Sequence, residues 1–388
     1  MFYISFMSRV INKDMLRAVA VMIGYIIGVG MFSLPFVVAQ GGVVPFLIFI
    51  LFFGGVQYFQ HMIYANMVLV TSAYHRLPGY AGIYLGPAGK NIVFIAKMLG
   101  NCGALLAYII IIGIFLNQLL SPMFGGSEFL YSTIVFLFAA GVVFFGINTI
   151  ARVEIIMSGL LILVVLFIII KGRVAIDISN YHMLDWRYML IPYGATLMAL
   201  DGNGAIPIVV KLLKKNPNQV RRAVQIGTLL PVVITIFFTL TIVGISGSAT
   251  TPDALVGVKQ ILNNGVILFS LIFGVLSMTT SVLLVTEAIR ETLWWDYKVN
   301  KNLAWAVAVF VPYSLFLFGI RDLTEVISFA GGVAGGLSAI MLLLIFRNMK
   351  AKEHDLRIFK WQTPNYIIYF FISLFVLGMF YEIYYFLI

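Results

Sequence analysis

The stretch Ala199-Leu-Asp-Gly-Asn-Gly-Ala-Ile-Pro207 sets a carboxylate, an amide, two glycines and a proline within nine residues of an otherwise apolar run. Asp201 can hold an ammonium, carry a proton, or cap a helix start. Asn203 offers both a donor and an acceptor, to a solute or to the local backbone. Gly202 and Gly204 remove the side chains that would hold a small solute away from the main chain. A second stretch, Gly24-Tyr-Ile-Ile-Gly-Val-Gly-Met-Phe-Ser-Leu-Pro35, repeats the pattern without a charge. Gly28 and Gly30 precede Pro35 there as Gly202 and Gly204 precede Pro207. Ser33 adds a hydroxyl that either meets a carboxylate or bonds back to its own helix, the second being the commoner habit of membrane serines.

Glycine weakens a helix by about 1 kcal/mol and proline by about 3, and proline also lacks the N–H that closes the ladder one turn back. Both stretches should therefore unwind in mid-helix. The half-helix after a break presents free N–H groups and a positive dipole end, which suit a carboxylate. The half before it ends in free carbonyls, which suit an ammonium or a metal cation. A pocket between two such breaks offers both ends at once, and an α-amino acid zwitterion is the small solute that matches.

The elements that carry these stretches are membrane spans. The 388 residues are 62% hydrophobic and 10% charged, with mean hydropathy +1.04, against about 45–50% and 25% in soluble domains. A bilayer crossing takes about 20 mostly apolar residues. Eleven runs qualify, near 15–38, 43–70, 92–120, 129–149, 153–171, 187–212, 222–244, 262–289, 301–318, 324–346 and 364–387. None alternates like a barrel strand. The first reads as a span and not as a cleaved leader, having no small-residue cleavage pattern followed by a soluble domain. The net charge of +10 comes from Lys and Arg in the short segments between spans, so it reports topology and not nucleic-acid binding. With the N-terminus inside, twenty basic residues fall on the inner side and five on the outer. The inner set includes Arg76, Lys90 and Lys97. This split places the N-terminus in the cytoplasm, the C-terminus outside, and the chain in the plasma membrane as a single multi-pass domain, 1–388. Spans 1 and 6 each open a set of five, and an odd number of crossings inverts the second set. Repeat one is thus about 15–171, repeat two about 187–346, and 364–387 is a peripheral helix. Paired interrupted helices at matching positions of inverted repeats point to a midplane solute site.

Further residues qualify by position. In span 8, Ser277, Thr280 and Ser281 share one helical face at i, i+3 and i+4. In span 3, Asn101 and Tyr108 stand about two turns apart in one apolar run. Gln57, Tyr58 and His61 read as packing residues, and Glu154, Glu287 and Glu325 as solvated charges near helix ends. The Gly331–Gly336 run reads as a close helix contact or a flexible point. The single cysteine, Cys102, carries no disulfide or metal signal. Motifs of metalloprotease, serine hydrolase or paired-aspartate chemistry are absent from the sequence, which argues against an enzyme. No cofactor is implied.

The run Gly24 to Pro35, with Ala39-Gln-Gly-Gly42 after it and Ile206-Pro207 in the sixth span, resembles the amino acid–polyamine–organocation superfamily. The branch most similar is that of the tryptophan/tyrosine permeases. The resemblance covers the whole chain in span number and break position, and spans 1 and 6 in specific motifs. It implies an all-α integral membrane protein of the leucine-transporter fold: a 5+5 inverted repeat with helices 1 and 6 broken, and eleven transmembrane helices. It further implies an amino acid carried by alternating access with a coupled cation. Gly28, Gly30, Ser33, Asn101, Tyr108, Asp201, Gly202, Asn203 and Gly204 are then the substrate candidates. In sodium-coupled members, helix 8 hydroxyls meet helix 1 carbonyls, which here are Ser277, Thr280 and Ser281 with Gly24 and Ile27. Proton-coupled relatives can place a lysine in helix 5; between Glu154 and Lys171 this chain has none, but Asp201 could itself carry the proton. Sodium and proton both stay open. The DGNG of 201–204 departs from that branch, where a bulkier residue or a histidine precedes a single glycine, so the resemblance does not name the solute. A polyamine or other organic cation, or channel-like conduction, are the alternatives.

Overall fold

The computed structural model describes residues 13–145, 150–262, 265–352, 358 and 364–387. Arg9 and the basic residues Arg357 and Lys360, counted above, lie outside that set. Most of the described chain is helical: α1 (Lys13–Ile26), α2 (Val29–Gly41), α3 (Val43–Val70), α4 (Leu77–Phe124), α5 (Glu128–Phe145) and α6 (Ile150–Gly172) form its first half. The second half holds α7 (Pro192–Leu200), α8 (Ile206–Leu212), α9 (Pro217–Ser246), α10 (Leu255–Leu262), α11 (Gly265–Glu291), α12 (Lys301–Leu317), α13 (Leu323–Phe329), α14 (Gly336–Lys352) and α15 (Asn365–Leu387). Among the described residues each expected span overlaps one helix or a broken pair, and 146–149 of the fourth and 263–264 of the eighth lie outside them. Among the described residues, seven segments are long and apolar enough to cross a bilayer and the bent α1–α2 pair makes an eighth, while Glu128–Phe144 and Lys301–Leu317 are shorter apolar helices.

The breaks fall at glycines. α1 and α2 meet at 43° across Ile27 and Gly28. Pro35 sits inside α2 without ending it, so the glycines and not the proline open the first break. In the sixth span Asp201 leaves the helix in an extended conformation (φ −71°, ψ 107°) and Asn203–Ala205 make one tight turn before α8. Pro207 stands in the first turn of α8, where its missing N–H costs nothing.

The packing is the same in both halves. α1 packs on α6, and α7 packs on the π-helical Ala330–Gly335 between α13 and α14. α3 lies against α9 and α4 against α11. A short helix precedes the third span of each half. In the first it is the start of α4, set off by a kink at Gly86 (φ 77°); in the second it is α10. The two broken spans cross at the centre, α2 on α7 and α1 on α8. That crossing needs bare backbone. A Cβ on Gly30 would stand 2.6 Å from the Ala199 Cα, and one on Gly202 would stand 2.8 Å from Ile26 Cγ1. α15 is the peripheral element; it packs on α14 and presents much of its surface outward.

Candidate functional site

Between the broken spans lies a cavity with about 690 Å³ of space, including its mouth. α1 and α2 contribute Tyr25, Gly28 and Gly30; α7 and the turn after it contribute Met198, Asp201 and Asn203; α3 contributes Gln57. The π-helical turn contributes Ala330, Gly331 and Ala334. Its glycines allow a close approach, since a Cβ on Gly331 would collide with the Gly194 carbonyl. The last wall is one stripe of α4: Lys97, Asn101, Ala104 and Tyr108. Spacings of four, three and four put all four on a single helical face. The Tyr108 side chain reaches Gly28, where any Cβ would strike its hydroxyl.

The polar groups of the second break are individually held. Asp201 Oδ1 accepts from the Asn203 backbone N (3.0 Å) and from Asn203 Nδ2 (2.7 Å). Asp201 Oδ2 faces Lys97 Nζ at 3.4 Å. Gly202 N donates to His61 Nε2 at 3.0 Å. Because a backbone N–H can only donate, Nε2 must be the accepting nitrogen and Nδ1 carries the proton, which it donates to Thr228 Oγ1 at 2.9 Å. His61 is therefore a neutral imidazole that caps the opened helix. Arg76, buried at the turn before α4, donates to the Gly204 carbonyl at 2.7 Å and to Glu291 Oε2 at 2.8 and 2.5 Å. Two acceptors in the cavity wall, Asn203 Oδ1 and Gln57 Oε1, are buried with no hydrogen-bond partner among the described residues.

Beneath the cavity, toward Arg76, lies a second void of about 330 Å³. Tyr25, Lys97, Asn101 and Asn203 border both spaces and so form the partition. Arg76, Gly204 and Thr292 line the lower one. Its floor is tied further by Asp296, whose carboxylate meets His75 Nδ1 and the Gly79 N–H, each at 3.0 Å. Lys90 donates to the Asp296 carbonyl. In α2 beyond the first break, Phe32 sets its ring edge-on to Phe115 and Phe238, 5.9 and 5.4 Å away.

Several sequence expectations change in detail. Lys97, assigned above to an inner connecting segment, stands inside α4 in the cavity wall. Its α4 stripe with Asn101 and Tyr108 is readable in the sequence as an i, i+4, i+11 pattern. Ser33 does not line the cavity; its hydroxyl donates to Gly30 O at 3.0 Å, the ordinary back-bond of a serine in a helix. Gly202 and Gly204 receive Ile26 and Tyr25 from the facing broken span; of the pair only Gly204 borders a void, the lower one. Glu287 is not solvated but buried in a pair with Arg290 at 2.5 Å, and Arg290 also holds Val143 O. The side chain of Glu154 lies outside those described. His61 and Gln57 are in the site, although a lone histidine and glutamine in an apolar helix read as packing. In α11, Ser281 Oγ donates to the Gly24 carbonyl at 3.3 Å, and Thr280 Oγ1 donates to Ser277 O at 2.7 Å. Ile27 is buried at the first break and donates to Ile23 O.

The model of the tryptophan/tyrosine permease family matches residues 11–382. The chain belongs to the tryptophan/tyrosine permease family. Among solved structures it is similar to MhsT in complex with L-phenylalanine, at TM-score 0.71 and 15% identity over 96% of this chain and 98% of that one. It is also similar to Mhp1, a nucleobase-cation-symport-1 family transporter with bromovinylhydantoin bound, at TM-score 0.64 and 14% identity over 88% of this chain and 80% of that one. A search of curated protein sequences finds no match. At such identity the two structures establish the fold, which is that of the leucine transporter. Family and fold together make this permease a secondary transporter of a small molecule, integral to the membrane and multi-pass, and not an enzyme.

Proposed function

We propose that this permease carries a zwitterionic α-amino acid through the cavity between the broken spans by alternating access, coupled to a cation. The observation that carries the reading is a polarity match. The free N–H groups that open α2 at Val29 and Gly30, with the Tyr108 hydroxyl beside Gly28, suit a carboxylate. Across the cavity, Asp201, the unpartnered Asn203 Oδ1 and the unpartnered Gln57 Oε1 suit an ammonium. Buried acceptors without donors cost about 1–3 kcal/mol each, and an ammonium with three N–H donors relieves several at once. The family description and the amino acid held by the similar MhsT structure agree with this class of substrate.

Gly24 O, Ile27 O, Ser277, Thr280 and Ser281 are the proposed sodium ligands. Contact between Ser281 and Gly24 supports that grouping, and hard oxygen donors suit such an ion. The second reading for coupling, a proton on Asp201, rests on the position of that carboxylate in the same cavity. The basic residues gathered on the side where α1 begins favour a cytoplasmic N-terminus in the plasma membrane, and removing Lys97 from the inner tally leaves that bias intact. Thermal-shift screening of the purified protein against the amino acids, with and without sodium at two pH values, tests the reading. A selective upward shift by one amino acid or a few is the expected result; no shift by any of them would refute it.

A further inference from the structure

Lys97 and Asp201 are the charged residues lining the cavity, and they face each other at 3.4 Å. The other nearby cation, Arg76, is already engaged by Glu291 and by the Gly204 carbonyl. One carboxylate oxygen of Asp201 is held by Asn203, and among the described residues the Lys97 ammonium is the full charge paired with the other. The Lys97 side chain is 13% exposed and that of Asp201 31%, so water screens the pair only in part. Its stem runs from the same face of α4 as Asn101 and Tyr108, which tethers the ammonium at the cavity wall.

We propose that Lys97 is a specificity-determining residue: by cancelling Asp201 it makes the cavity electroneutral, and so selects zwitterions against organic cations. This rests on the amino-acid reading above and goes beyond it by giving the rejection of amines a residue. A bare carboxylate in a poorly solvated cavity would attract any amine, with or without an acid group. A carboxylate already paired with a tethered ammonium offers no net charge. A solute of charge +1 then brings an uncompensated charge out of water, which is heavily penalised. A zwitterion brings none. Its ammonium shares Asp201 with Lys97 and meets Asn203 and Gln57, and its carboxylate meets the start of α2. Specificity of this kind arises from repulsion of the wrong partner as much as from attraction to the right one.

The test uses the full-length protein in nanodiscs and three probes: the amino acid giving the largest thermal shift, its decarboxylated amine, and its deaminated acid. Wild type should bind the amino acid at least tenfold more tightly than the amine, a difference of about 1.4 kcal/mol. Lys97→Gln should move that ratio at least tenfold toward the amine. Asp201→Asn should move the amino-acid-to-deaminated-acid ratio the other way by a similar factor. The double variant, neutral again, should bring the amino-acid-to-amine ratio back at least threefold from its value in Lys97→Gln alone, because the two sites are coupled, while its affinity for the amino acid itself falls with the loss of the Asp201 carboxylate. Equal binding of amine and amino acid by wild type, or ratios unmoved by Lys97→Gln, would overturn the proposal and leave the transport reading standing. Should Lys97→Gln not purify as a monodisperse protein, unmoved ratios in Asp201→Asn overturn it equally. Failure of wild type to bind any amino acid would instead overturn the reading of the site itself.

Discussion

Arg76 is the keystone of the surface that separates the cavity from the α1 side of the molecule. Its guanidinium joins three elements: the turn before α4, the end of α11 through Glu291, and the second break through the Gly204 carbonyl. The residue is 5% exposed, so the ion pair is a desolvated one. Breaking such a pair by removing one partner costs about 3–5 kcal/mol, because the other charge stays buried, and the Gly204 carbonyl loses its donor as well. These contacts tie together the wall of the lower void. Any part of their energy that is absent in a conformation open to the α1 side acts directly on the closed–open equilibrium. As little as 1.4 kcal/mol shifts that equilibrium tenfold. Thr292 lines the lower void and is buried, so a cysteine placed there reports the opening. With Cys102 replaced by Ala, Thr292→Cys should react with a water-soluble thiol reagent at least tenfold faster once Arg76→Ala is added. Glu291→Gln should give the same direction. Arg76→Lys should fall between, since one ammonium cannot span both partners with the geometry of the guanidinium fork. Uptake should fall in each variant while the protein stays monodisperse. Equal labelling rates with and without Arg76 would refute the latch.

Two further substitutions test other parts of the site. Gly30→Ala places a methyl against the Ala199 backbone, which no rotamer can relieve. Overpacking of about 1–3 kcal/mol at the crossing of the breaks should cut substrate affinity by tenfold or more in a binding assay, and unchanged affinity would separate the crossing from the site. Replacing Thr280 and Ser281 together by Ala should raise the sodium concentration for half-maximal uptake; a wild type indifferent to sodium but steeply dependent on pH would favour the proton.

Much of this arrangement is legible in the sequence because the responsible residues act on the backbone. Gly28/Gly30 and Gly202/Gly204 repeat one Gly-x-Gly pattern before a proline in spans 1 and 6, so the interruptions can be placed from the order of residues. The lining of the site is harder. Lys97 falls five residues inside the expected span 92–120 but close enough to its inner end to be tallied with the connecting charges, and its register with Asn101 and Tyr108 is what turns it toward the site. His61 reaches Gly202 across 141 residues, and nothing local distinguishes a histidine that caps a distant break from one that packs. Ala330–Gly335 carries the glycines of a close contact, but which face turns toward the cavity depends on how α13 and α14 cross α7. Glu287 sits near a helix end, as a solvated charge would, and is buried because Arg290 is one turn away.

The central assertion is that opened backbone at two crossing helices, with Asp201 between them, grips an amino acid for transport. Counterflow in proteoliposomes addresses it most directly: vesicles loaded with the unlabelled amino acid, labelled amino acid outside, wild type beside Asp201→Ala. Wild type should accumulate label in a saturable overshoot, and Asp201→Ala should lose it while inserting at near-normal levels. Overshoot by the alanine variant at the wild-type rate, or linear non-saturating flux in wild type, would contradict the account.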